Sequence, residues 1–188
     1  MSRIFTAYRG VSWTEARDVL DEQRYFRDER VNFGNPRFGA NAVFGAGIYF
    51  IDDYEVAGQY AFCHGVHEND DGTVLTQVLT FQHPLILNES YSEHDLRSDV
   101  LSWRLGTEKI SELGNQYGIA LAESIRQYVL HCRYDGIIYQ LPNGSLYFIC
   151  YFPERQVSHI QIDFEFRLDE ALYKSFDEIR AGHRRFVK

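Results

Sequence analysis

The sequence predicts an α+β fold, and three observations predict it. Strand-like runs stand at both ends of the chain, two long segments of helical period occupy the middle, and aromatic residues reach 15%, with 13 Tyr and 14 Phe. Runs of strands and runs of helices that do not alternate strictly give α+β layers, and an aromatic surplus suits sheets that offer stacking surfaces. At 188 residues the chain is expected to form one domain, 1–188, with a core of its own.

The elements follow in order. "RIFTAYR", 3–9, reads as a strand ending at Gly10, and Ser12 caps a helix whose apolar side carries Trp13, Ala16, Val19 and Leu20. From Glu22 to Ala42 charge mixes with Gly and Asn around Pro36, and Arg24, Arg27, Arg30 and Arg37 recur without a period, which predicts a loop-rich segment. Residues 47–51 read as a short strand. Asp52 or Asp53 caps the next helix, on which Val56 and Tyr60 share a face expected to turn back to that strand. "HENDDG", 67–72, reads as an acidic hairpin-type loop. In "TVLTQVLTF" Val74, Thr76, Val78 and Thr80 alternate with Leu75, Gln77, Leu79 and Phe81, the mark of a strand. Pro84 in "HPLIL" points to an edge strand or a bulge. "LRSDVLSWRLGTEKISEL" and "GIALAESIRQYVLHC" have helical period and are separated near Gly114 and Gly118. "DGIIYQL" and "LYFICYF" flank the turn "PNGS" as a hairpin-like pair, "HIQIDFEF" is a further strand, and "RAGHRRFVK" closes the chain as a basic, solvated helix end.

Composition narrows the chemistry. A net charge of -8 with pI near 5.3 opposes long-range attraction to a phosphate backbone, so small-molecule or protein chemistry is expected ahead of general nucleic-acid binding, with a local basic groove left open. Cys63, Cys132 and Cys150 have no CxxC or Cys-His spacing, and the seven His show no HExxH, so neither a disulfide framework nor a metal site is expected. No signal-peptide core and no run of about 20 apolar residues is read, so no membrane association is expected. The cytoplasm, or delivery into a host cell by a signal-independent secretion system, is the expected location. "GAG", 45–47, is not a dinucleotide fingerprint, because it precedes a strand instead of opening a helix after one.

The stretch "FGAGIYFIDDYEVAGQYA", 44–61, sets two glycines before Tyr49 and a second tyrosine, Tyr60, eleven residues on. One tyrosine on a strand and one on the helix beside it can sandwich a flat aromatic ring, each face contributing on the order of 1 kcal/mol. Gly45 and Gly47 would let the backbone approach such a ligand. The same spacing also serves plain strand-on-helix packing through amphipathic tyrosines, and the residues alone leave both readings open.

"AYRG" followed by "GAGIYFIDDYEVAGQYA" resembles the ADP-ribosyltransferase superfamily, in its diphtheria-toxin-like and poly(ADP-ribose) polymerase-like branch. "VLTQVLTFQHPLIL" is similar to that family's central strand and following turn, and "YDGIIYQ...YFICYFPERQV" to its closing region, so the likeness covers most of residues 3–160. It implies a split β-sandwich of two small sheets around an NAD cleft, and a toxin-like or effector-like enzyme that uses NAD as substrate. Gly10 would then meet the nicotinamide carboxamide, Tyr49 and Tyr60 would flank the pyridinium ring with Gly47 close to it, and Arg9 would contact ribose or phosphate.

Two positions depart from the family. Arg9 stands where this branch has His, and the strand that should carry the catalytic glutamate, "GSLYFICYF", has no acid. Tyr147 or Leu146 fills that position according to the alignment chosen. Three explanations stay open. The acceptor supplies its own carboxylate, so that one ADP-ribose is transferred to a protein without elongation. Another acid, Glu154, Asp135 or Glu55, reaches the ribose, although Glu154 suits a solvated turn and Asp135 a turn that caps its own backbone. Or the chain is a non-catalytic interaction module of the same fold. An NAD glycohydrolase with water as acceptor is a further alternative. The acceptor itself would be chosen by loops such as 22–42 and 88–116.

Overall fold

The computed structural model describes residues 2–25, 43–105 and 118–186. Seven strands and six α-helices are found among the described residues: β1 (Arg3–Ser12), α1 (Trp13–Glu22), β2 (Ile48–Ile51), α2 (Tyr54–Glu68), β3 (Gly72–Phe81), β4 (Leu85–Leu87), α3 (Glu93–Leu105), α4 (Gly118–His131), β5 (Gly136–Gln140), β6 (Leu146–Cys150), α5 (Pro153–Gln156), β7 (Val157–Phe166), a 3-10 turn (Glu170–Leu172) and α6 (Phe176–Phe186). The strands hydrogen-bond in the order β4-β5-β6-β2-β1-β3-β7, a mixed sheet in an α+β arrangement. Most of the loop expected at 22–42, and the Gly114 break expected between the two middle helices, lie outside the described residues.

Two compact units divide the chain, one holding residues 43–49, 81–105 and 118–153, the other 3–25, 50–80 and 154–186. In the first, β4 runs parallel to β5 with Leu85 opposite Ile137, and β5 runs antiparallel to β6 with Tyr139 opposite Tyr147. β4 ends the strand order, so Pro84 precedes an edge strand, where its missing N–H is tolerated. The β5–β6 turn closes through Gly144, whose φ of +91° is the left-handed region glycine supplies, and Asn143 Oδ1 accepts from the Ser145 N–H at 3.0 Å. The core of this unit gathers Phe44, Leu85, Leu87, Leu96, Val100, Ile125, Val129, Ile137, Ile149 and Tyr151 from strands and from α3 and α4.

In the second unit β1 lies between β2 and β3, with β7 beyond β3. β1 runs to Ser12, two residues past the expected end, because Gly10, Val11 and Ser12 are buried and continue the strand. Ser12 then caps α1, accepting from the Glu15 N–H at 3.3 Å, and Asp53 caps α2, accepting from the N–H groups of Glu55 and Val56 at 2.8 and 3.3 Å. The acidic run 67–72 is not a hairpin loop. α2 continues to Glu68 and ends at Asn69, φ +54°, while Asp70 accepts from the Thr14 N–H at 2.7 Å and the Asp71 carbonyl from the Trp13 N–H at 2.8 Å. The Asp70 carboxylate and the Asp71 backbone carbonyl anchor the start of α1.

Within the basic C-terminal run, Arg180 departs from expectation. Arg180 on α6 is not solvated: its guanidinium pairs with Asp163 of β7 at 2.6 Å, with side chains only 14% and 9% exposed, and lies 3.8 Å from the Tyr54 ring centroid. Phe176 of the same helix sits against Phe164 and Phe166. A buried pair of this kind fixes geometry, and removing one partner leaves an uncompensated charge.

Candidate functional site

Arg9 and Gly10 sit side by side on β1, in the middle of their unit. Arg9 is 8% exposed, so it is not the solvated edge-strand arginine that its sequence position also allows. Its guanidinium carbon lies 5.4 Å from the centroid of the Tyr25 ring, within cation–π range. The Tyr25 hydroxyl donates to Gln77 Oε1 at 2.6 Å, and Gln77 Nε2 donates to the Ala7 carbonyl at 2.7 Å, all three groups being buried. Gln77 stands on the same face of β3 as Leu75, Leu79 and Phe81, a polar residue in an apolar row, and that break in the pattern is the signal the sequence offered.

Gly10 has a packing reason of its own. A Cβ there would stand 1.9 Å from the Ala57 carbonyl oxygen and 2.4 Å from the Ala61 nitrogen, so the α2 backbone lies directly on β1. The face of α2 that meets β1 is therefore Ala57 and Ala61, both fully buried. Small residues win because the close approach leaves no room for larger ones. Tyr60 is 45% exposed, its ring open to solvent on the outer side of the helix, and Glu55 is exposed in the first turn.

Tyr49 belongs to the other unit and is held differently. Its hydroxyl donates to the Gly45 carbonyl at 2.7 Å and accepts from the Phe44 N–H at 3.3 Å. The Tyr151 hydroxyl donates to the Phe44 carbonyl at 2.7 Å, and its burial pushes that phenol well above its ordinary pKa. From α4, Glu123 accepts from the Ala46 N–H at 3.5 Å and pairs with Arg126 at 3.0 Å, and Arg126 lies 5.7 Å from the Tyr151 ring centroid. Gly45 has φ +82°, and a Cβ on it would meet the Ala122 carbonyl at 2.6 Å. A Cβ on Gly47 would come within 3.1 Å of the Cys150 carbonyl. Both glycines thus fit the chain against α4 and β6, and the 44–47 turn carrying Tyr49 is fixed by two phenols and an ion pair. Glu123 and Arg126 escaped the sequence reading because their role depends on α4 lying beside a turn some 80 residues earlier in the chain.

The remaining acids separate. Asp135 is buried at 7% exposure and caps the backbone of the β3–β4 turn, accepting from the Gln82 and His83 N–H groups at 2.7 and 3.2 Å. Glu154 is exposed in the first turn of α5. On β6, strand alternation puts half-buried Tyr147 on the face of Ile149 and Leu146 on that of Phe148, and the strand carries no acid. Among the described residues no three His, Cys, Asp or Glu side chains gather to hold a metal ion, and no helix is long and apolar enough to cross a membrane.

No family model matches the chain, and no curated protein matches it. Among solved structures it is similar to a chain of the crystal structure of the M.tuberculosis MbcT-MbcA toxin-antitoxin complex, at 16% identity and a TM-score of 0.46, over 96% of this chain and 91% of that one. It is also similar to a crystal structure of an anti-CRISPR protein, at 14% identity and a TM-score of 0.34, over 82% of this chain and 94% of that one. Overlaps this loose carry neither fold nor chemistry from one chain to the other.

Proposed function

We propose that this chain is an NAD-dependent mono-ADP-ribosyltransferase acting on a protein, its 188 residues one domain of the family's split β-sandwich type. The observation that carries the reading is the burial of Arg9, 8% exposed on an inner strand and next to Gly10, where the motif "AYRG" would place an NAD contact. A guanidinium so far from water is costly to keep, and its planar fork suits a pyrophosphate or a ribose hydroxyl. Gly10 offers its backbone to the carboxamide, and Tyr60, exposed on α2, is assigned a face of the nicotinamide.

In the reaction the bond between ribose C1' and the nicotinamide nitrogen breaks, its electron pair leaving with nicotinamide, and an acceptor nucleophile forms the new bond at C1'. The oxocarbenium-like state between is what the protein must stabilise relative to bound NAD. With Tyr147 or Leu146 at the position of the family's glutamate, the carboxylate comes from the acceptor or from another acid, and the product is a single ADP-ribose unit.

Incubation with NAD labelled in its adenylate half, together with a cell lysate, tests this. Label transferred to protein with release of nicotinamide is expected. Nicotinamide released without transfer would make the chain an NAD glycohydrolase, and neither outcome would leave the second reading, a non-catalytic binding module, which the acid-free β6 favours.

A further inference from the structure

We infer that Tyr25, held by Gln77, is the positioning residue for the Arg9 guanidinium. The inference rests on the reading above for its functional consequence and on geometry alone for its physical content. β1 presents Ala7 and Arg9 on one face, two residues apart. From the Ala7 carbonyl a chain of contacts runs to Gln77 Nε2 at 2.7 Å, from Gln77 Oε1 to the Tyr25 hydroxyl at 2.6 Å, and from the Tyr25 ring back to Arg9 at 5.4 Å. The circuit begins and ends on the same strand.

Every member is buried: Gln77 is 1% exposed, Tyr25 and Arg9 8% each. The phenol is braced by Phe50 too, the two rings forming a T-shaped pair with centroids 5.4 Å apart. A buried amide that spends its donor on a strand carbonyl and its acceptor on a phenol leaves the phenol one orientation, and the ring in turn fixes the plane over which the guanidinium lies. A long, flexible side chain thereby meets its ligand with little ordering left to do. Tyr25 acts through Arg9 and is not itself assigned a contact with NAD.

The test compares Tyr25→Leu, which removes the ring, with Tyr25→Phe, which keeps the ring and loses only the bond to Gln77. The first readout is NMR relaxation of the Arg9 Nε–Hε group, which reports guanidinium order without any ligand. The wild type is expected near the rigid limit, an order parameter of about 0.8, falling below about 0.6 in Tyr25→Leu and lying between in Tyr25→Phe. The second readout is NAD binding and turnover. KM or Kd for NAD is expected to rise roughly tenfold in Tyr25→Leu with kcat within about twofold, since a lost binding contact acts on ground and transition states alike.

Arg9 equally rigid in both variants, or in Tyr25→Phe alone if the leucine variant does not fold, overturns the inference. Arg9 loosened with NAD affinity unmoved upholds the positioning and overturns the assignment of Arg9 to NAD.

Discussion

Tyr49 and Tyr60 are the same side chain eleven residues apart, and their settings are opposite. Tyr49 has its hydroxyl engaged twice by the 44–47 turn and its ring against a core that includes Ile149 and Tyr151. Tyr60 is 45% exposed on the outer side of α2, whose inner side is Ala57 and Ala61. A motif spacing is therefore silent about energetics: one tyrosine is built into the stability of its unit, whereas the other is left largely exposed. The glycines divide in the same way, since Gly10 and Gly45 are required by backbone that already lies against them.

The largest effect should come from Gly10→Ala. With the Ala57 carbonyl 1.9 Å from the new Cβ, strand and helix must separate, at a cost of about 3 kcal/mol. Urea unfolding should show the midpoint fall accordingly, and an unchanged midpoint would mean that α2 does not lie on β1 as described.

The two tyrosines themselves are next. Tyr49→Phe leaves the Gly45 carbonyl and the Phe44 N–H without their partner and should lower stability by about 1 kcal/mol. Tyr60→Ala should change stability by no more than about 0.5 kcal/mol. Under the proposed function Tyr60→Ala should still weaken NAD binding about fivefold through the lost stacking face, as calorimetric titration would show. Equal stability losses at both positions would erase the contrast.

The smallest effect compares two capping boxes, one in each unit. Ser92 and Asp95 open α3, with the Ser92 N–H donating to Asp95 at 2.8 Å, and Ser175 and Glu178 open α6 with the corresponding bond at 2.9 Å. The serine hydroxyl and N–H bonds hold the Asp95 carboxyl below its usual value, and the Ser175 N–H and hydroxyl do the same for Glu178. A carboxyl depressed in the folded state stabilises fully above its unfolded pKa and loses that contribution as pH falls through its folded value. The stability gap between wild type and Asp95→Asn, or Glu178→Gln, should thus be present near neutrality and close as pH falls through the depressed folded-state value of the carboxyl. A gap independent of pH would show that the carboxylate charge contributes nothing at these helix starts.

Local signals were read correctly where the chemistry is local. Ser12 caps α1 and Asp53 caps α2 because a short oxygen-bearing side chain meets N–H groups two or three residues on, wherever the helix ends up. Asn143 and Gly144 close the β5–β6 turn for the same kind of reason. Long-range partners were not legible. Asp135 caps a turn some fifty residues away, Arg180 finds Asp163 across two elements, and Asp70 serves the start of α1, each through a pairing that no periodicity encodes. Of the candidate site, the sequence points to Arg9, Gly10, Gly47, Tyr49, Tyr60, Tyr147 and Glu154. It passed over Tyr25, which lay inside a segment read as loop, and Glu123, which looked like one more charge on a helix.

By itself the sequence determined the main strands and helices, the Ser12 and Asp53 caps, the Asn143–Gly144 turn and the absence of an acid on β6, because those follow from residue identity and from contacts within a few residues. Only the tertiary structure decided that Arg9 is buried on an inner strand under a phenol, that Gly10 yields its space to a helix, and that Tyr49 is fastened while Tyr60 is not. Burial, stacking and close backbone approach are properties of what comes to lie beside a residue, and that depends on segments of chain tens of residues distant.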